Sequence, residues 1–203
     1  MNTTTKDRPT LFPGPMIRAL LAGEKNQARG VVKPQPPADG RWEPKEHSER
    51  PGYWIGCTPD GKLRNDCGPR LGECEWSCPY GVPGDHLWVR ETHLIRGNGE
   101  TVVYRADFDA VDAAGIGGLY GGWKPSIFMR RAFSRITLEI TRIKVERVQE
   151  ITEADVRSEG IRGPRPLAQY VALWDKINGK RGFGWAVNPW VWRITFRRLE
   201  AKP

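Results

Sequence analysis

Lys25 and Arg29, four residues apart in GEKNQARG, follow the end of an apolar helical stretch. Together they could clamp a phosphate by charge-assisted hydrogen bonds, or burial could lower the proton affinity of Lys25 and make it a general base. Either role needs a cleft; without one, both side chains simply solvate the surface. Arg90 and Glu91 end the strand expected in DHLWVRE, where a barrel presents polar groups to its mouth, with an internal ion pair as the alternative. Tyr104, Arg105 and Asp107 offer a ring, a phosphate ligand and a carboxylate in close succession. In WKPSIFMRRAFSR, Lys124, Ser126 and Arg135 could surround one ligand or belong to a closing loop. Trp123 follows a glycine-rich stretch and precedes Lys124, which makes it the better base-stacking candidate, whereas Trp88, Trp190 and Trp192 read as core.

Cys57, Cys67, Cys74 and Cys78 all fall in a polar stretch. Four thiols there fit a structural zinc that would hold a segment without its own core, but only Cys74 and Cys78 have knuckle spacing. Free thiols and disulfides stay open, and His47 could replace one thiol. No cofactor is required by the chemistry expected of the other residues.

The elements that must position these groups are unevenly legible. The first ordered element is expected as a helix from Pro15, with Met16, Ile17, Leu20 and Leu21 at helical spacing and Gly23 ending it. GEKNQARG then reads as a short connection. Strands are expected at 86–90 and 101–106, followed by a glycine-rich loop at 115–122 that carries no phosphate-binding signature. In RITLEITRIKVERV the apolar parity switches between Ile140 and Ile143, which predicts a bulge or sharp bend near Thr141 and Arg142. Thr152 caps a short helix with Asp155 three residues on and Gly160 after its end; a longer helix runs from Pro166 to Gly179. The last strand places Trp190, Trp192, Ile194 and Phe196 on one face.

The chain has 203 residues, with 32 Lys and Arg against 24 Asp and Glu and a formal charge of +8. That length suits one domain (1–203) with a poorly regular, Cys-rich insertion at about 33–83. The expected class is α+β, a small mixed β-barrel with flanking helices. No segment approaches the roughly 18 apolar residues of a membrane helix, and MNTTTKDRPT lacks the pattern of a secretory signal, so a cytoplasmic location is expected. The excess charge fits a polyanion partner or mere solubility. Its placement is more telling, since no acid lies between Asp175 and Glu200 while Lys176, Lys180, Arg181, Arg193, Arg197 and Arg198 do.

At GEKNQAR, PGDHLWVRE, WKPSIFM and NPWVWRITF the chain resembles the ASCH family of the PUA-like superfamily, in the long form found in phages and prophages. The resemblance runs from about Phe12 to Leu199 and is weakest over Arg41 to Cys78. It implies a small barrel with a cleft and a function directed at RNA: binding, ribonuclease action, or hydrolysis of an acetylated cytidine. It matches the family's lysine to Lys25 and its glutamate to Glu159, which would make both catalytic candidates, with an arginine such as Arg29, Arg90 or Arg105 stabilising charge on phosphate. The family's threonine nucleophile falls on Ala28, which has no hydroxyl and disfavours the amidohydrolase. The threonine after the lysine is Asn26, and a frequent second arginine is Gly30. The readings carried forward are binding and metal-independent cleavage of single-stranded RNA, a non-catalytic reader of RNA or a modified base, and a phage morphogenesis or anti-defence protein that binds a host protein.

Overall fold

In the computed structural model, which describes residues 5–36, 43–46, 53–57, 75–97, 101–119 and 122–200, the alternation of WVWRITFRRL becomes strand β10 (Trp190–Leu199). Beside it lies β9 (Thr137–Arg147), antiparallel along its whole length. Thr195 pairs with Arg142 and Phe196 with Ile140, so Thr141 is the extra residue of a bulge at the position where the apolar parity switches. Its hydroxyl donates to the Thr195 carbonyl at 3.1 Å. The bulge bends the strand, so that Leu138 and Ile140 before it and Ile143 and Val145 after it all join the same core.

The main sheet is completed by β6 (His86–Arg90) against the start of β9, by β1 (Asp7–Leu11) parallel to β6, and by β2 (Gln27–Val31) antiparallel to β10. Its order is β1-β6-β9-β10-β2. Among the described residues no ladder joins β1 to β2, so the expected closed barrel is not present as a hydrogen-bonded ring. The architecture is mixed α+β, with an open five-stranded sheet, two smaller sheets and flanking helices.

One face of the sheet carries the main core, where Leu138, Ile140, Trp192 and Ile194 meet Ile17 and Leu20 of α1 (Gly14–Leu21). Burying residues of this size contributes roughly 1.5 to 3 kcal/mol each. A second core forms on the opposite face near Val191, against α3 (Glu153–Ser158) and α4 (Pro166–Asn178), through Val156, Tyr170 and Trp174. Both helices start as the sequence predicts. Thr152 accepts from the Asp155 backbone while the Asp155 carboxylate accepts from the Thr152 backbone, a complete capping box in which aspartate serves for glutamate.

Five expectations are corrected. The first described element is β1, ahead of the helix expected from Pro15, and GEKNQARG runs into a strand instead of forming only a connection. The stretch expected as a glycine-rich loop is largely α2 (Ala110–Leu119). The described parts of the insertion form a three-stranded sheet, β3 (Glu43–Glu46), β4 (Tyr53–Cys57) and β5 (Glu75–Ser77). Its Trp54 ring packs edge-on against Trp192, 4.8 Å between centroids, and Trp76 donates to the Pro34 carbonyl. Trp54, Trp76 and Cys78 of this segment thereby join the main core. Beyond it, β7 (His93–Arg96) pairs with β8 (Thr101–Tyr104), which ends before the 106 expected, in a single turn of 3-10 helix.

Candidate functional site

On the α3 side of the sheet, Lys144 of β9, Arg193 of β10 and Arg29 of β2 stand at directly paired positions across three strands. Like charges placed opposite one another repel, so this row needs a counter-charge. Glu146 supplies it. Its Oε1 accepts from Arg29 Nη2 at 2.7 Å and Nε at 3.1 Å, while Oε2 accepts from Arg193 at 3.3 Å and lies 3.5 Å from Lys144. The Arg29 side chain is fully enclosed, and its Nη1 donates to Glu159 Oε1 at 2.9 Å.

The Thr152 box fixes α3 so that Asp155 and Glu159 face this row. Gly160 then lets the helix end close on the turn before β2. With φ at +85°, it takes a backbone conformation that favours glycine, and a Cβ there would lie 2.7 Å from that of Ala19. Lys25 is held against Glu159 as a result. Its Nζ donates to Gln27 O at 2.6 Å, Glu159 O at 3.0 Å and Glu159 Oε2 at 3.2 Å, with the Phe12 ring 5.3 Å away. Three acceptors match the three donors of an ammonium. Burial pulls its proton affinity below that of an ordinary lysine, with Glu159 opposing.

Lys25, Arg29 and Glu159 line one end of a cavity of about 550 Å³. Its apolar wall comes from Phe12, Tyr80, Tyr170 and Trp174. The Tyr170 hydroxyl is buried and has no hydrogen-bond partner among the described residues, and burial drives its ionisation well above the usual tyrosine range. Tyr80 lies over Gly30, its hydroxyl occupying the place of a Cβ. An arginine at position 30 is therefore incompatible with Tyr80 where it stands. At the rim, Lys33 and Arg181 are exposed, and neither is paired with a carboxylate among the described residues. Arg181 belongs to the acid-free run that the sequence singled out; Lys33 and Glu146 carried no signal of their own.

The remaining candidates lie elsewhere. Arg105 and Ser126 line a second cavity of about 620 Å³ with Arg18 and Phe108; Leu11, Phe12 and Pro13 line both cavities. Glu91, fully buried, takes a two-pronged pair from Arg135 at 3.0 and 2.9 Å. Arg135 also holds Asp107 and covers the Tyr104 ring at 3.9 Å, so these four side chains engage one another. Arg90 lies over Trp88 and donates to the Ile127 carbonyl; Lys124 bridges to His93 through its backbone. Neither lines either cavity. Trp123 spends its indole N–H on the Ala113 carbonyl and packs beside Phe108. Cys67, Cys74 and the Cys57 side chain lie outside the described residues, and among those described no group of His, Cys, Asp or Glu is arranged to hold a metal. Cys78 is buried and free, its thiol pushed up to about 11 by burial.

No family model matches the chain, and no curated protein matches it. Among solved structures, the crystal structure of protein EF3133 from Enterococcus faecalis V583, described as family-model DUF984, is similar over 98% of this chain and 83% of that one, at 6% identity and a TM-score of 0.41. A likeness at that level carries no argument about family or function. No helix among the described residues is long and apolar enough to cross a membrane.

Proposed function

We propose that the chain is an ASCH-type, PUA-like protein that binds single-stranded RNA by taking one base into the cavity beside β2. The observation that carries this reading is the cavity's composition: an aromatic wall, a buried polar floor, and two rim cations, Lys33 and Arg181, that meet no carboxylate among the described residues. Bases extruded from single strands stack on aromatic rings, and a phosphate left at the mouth would meet Lys33 and Arg181. The contact between Lys25 and Glu159, the two residues that the resemblance carried over, supports the family assignment.

Binding is favoured over cleavage. Lys25 has all three donors engaged and Arg29 is bound to two carboxylates, so neither is a free base or phosphate clamp. Their task here is to hold the floor of the cavity in one geometry. Titration of labelled single-stranded RNA and DNA octamers, followed by mass analysis of the RNA after long incubation with chelator, tests the reading. Saturable binding to RNA with no product is expected, with binding weakened by Arg181→Glu and Lys33→Glu. RNA cleavage that Lys25→Ala abolishes would overturn the binding-only reading; binding of no nucleic acid would overturn it altogether.

A further inference from the structure

Among the described residues, the side chains of the cavity explain stacking and charge but offer the polar edge of a base little beyond the Tyr170 hydroxyl. The backbone of β2 can read that edge. Val32 N donates to Trp190 O and Phe196 N donates to Asn26 O. With the register of β2 against β10, these two bonds fix the parity of the ladder: Ala28 and Gly30 bond to β10, while Gln27, Arg29 and Val31 turn their N–H and C=O groups to the opposite, outer edge. The Gln27 carbonyl is taken by Lys25. Among the described residues nothing bonds the outward groups of Arg29 and Val31, and both residues line the cavity.

We propose that this edge recognises the Watson–Crick edge of the bound base, through the N–H and C=O of Arg29 and Val31. In an extended strand the N–H and C=O of one residue point the same way, forming a donor beside an acceptor. That is the complement of the adjacent acceptor and donor presented by uracil, cytosine or adenine. Strand addition by a peptide would need a longer run of free edge than two residues, and the basic rim suits a phosphodiester. The inference rests on the base-binding reading above and adds how the base is selected.

The test uses Val31→Pro against Val31→Ala in the full chain. Both lose side-chain packing, but only proline removes the outward N–H. Because that N–H lies outside the ladder to β10 and β2 is an edge strand, proline is tolerated there. Fluorescence anisotropy with labelled U8, C8 and A8 RNA should show Val31→Pro binding roughly ten-fold weaker than Val31→Ala, the worth of one hydrogen bond to a buried polar partner. U8 in which every base is methylated at N3 should lose binding to the wild-type protein, a readout that needs no variant to fold. Wild-type binding with equal affinities for the two variants, or for methylated and unmethylated U8, overturns this inference and leaves the base pocket standing. A wild type that binds none of the oligomers overturns both.

Discussion

Arg29 and Arg193 occupy directly opposed positions on β2 and β10, and the Glu146 carboxylate binds both, through Oε1 to the first and Oε2 to the second. Asp155 also lies 3.6 and 3.7 Å from the two arginines, but Glu146 makes the shorter contact to each. Glu146→Gln is therefore expected to destabilise the fold by about 3 kcal/mol, since removing one partner leaves buried charge unpaired. Arg193→Ala, whose side chain is partly exposed at 22%, should cost much less. Urea denaturation of the two variants checks the order, and equal losses would contradict it.

The strands and helices legible in the sequence are those whose apolar residues repeat without interruption. For β9, even the bulge at Thr141 was readable, because the parity switch between Ile140 and Ile143 is local. β2 was not, because QARGV has no apolar alternation: charge on one face is matched by Glu146 and Glu159, and small residues on the other are covered by Tyr80. The insertion strands were hidden for the same reason, since the Trp54 and Trp192 contact that supports them spans distant segments. The resemblance singled out Lys25 and Glu159 one by one, but their contact, like the place of Glu146, depends on how distant segments meet, which periodicity does not reveal.

Asp155 caps α3 and faces Arg29 and Arg193. Burial works against its ionised form, but hydrogen bonds from Thr152 and the two arginines outweigh it, holding the carboxyl below the ordinary aspartate value of 3.8. A depressed folded value means that its contribution is present above the unfolded value and is lost as pH falls through the folded one. Asp155→Asn should cost about 1 kcal/mol near neutrality, and the difference from wild type should shrink below pH 3.8. Denaturation series at several pH values measure it; a difference that persists unchanged into acid would exclude the ionised role.

Gly30 is the place where the Tyr80 ring approaches β2. Gly30→Ala puts a methyl group into the Tyr80 hydroxyl, forcing the ring off the cavity wall. RNA affinity should fall at least several-fold, and the double variant Gly30→Ala with Tyr80→Ala should lose no more than Tyr80→Ala alone. Additive losses in that cycle would show that the two residues act separately.

With its thiol pushed up to about 11, Cys78 is almost wholly protonated at neutral pH and is also buried. Iodoacetamide should modify it slowly in the folded protein and readily in urea, as read by peptide mass mapping. Rapid labelling of native Cys78 would mean that the segment around β5 opens far more often than its packing implies.

The Tyr170 hydroxyl is buried without a partner among the described residues, near Arg29 and Glu159, yet its ring is part of the second core. A polar group in that position costs stability unless something bonds to it. Tyr170→Phe keeps the ring and removes the cost, so the free protein should be as stable as wild type or more so, by about 1 kcal/mol. If the hydroxyl bonds to the bound base, the same variant should bind RNA more weakly. Opposite changes in melting temperature and affinity mark a group kept for its ligand; a loss of both would mark Tyr170 as ordinary packing, and an affinity left unchanged would remove the hydroxyl from recognition.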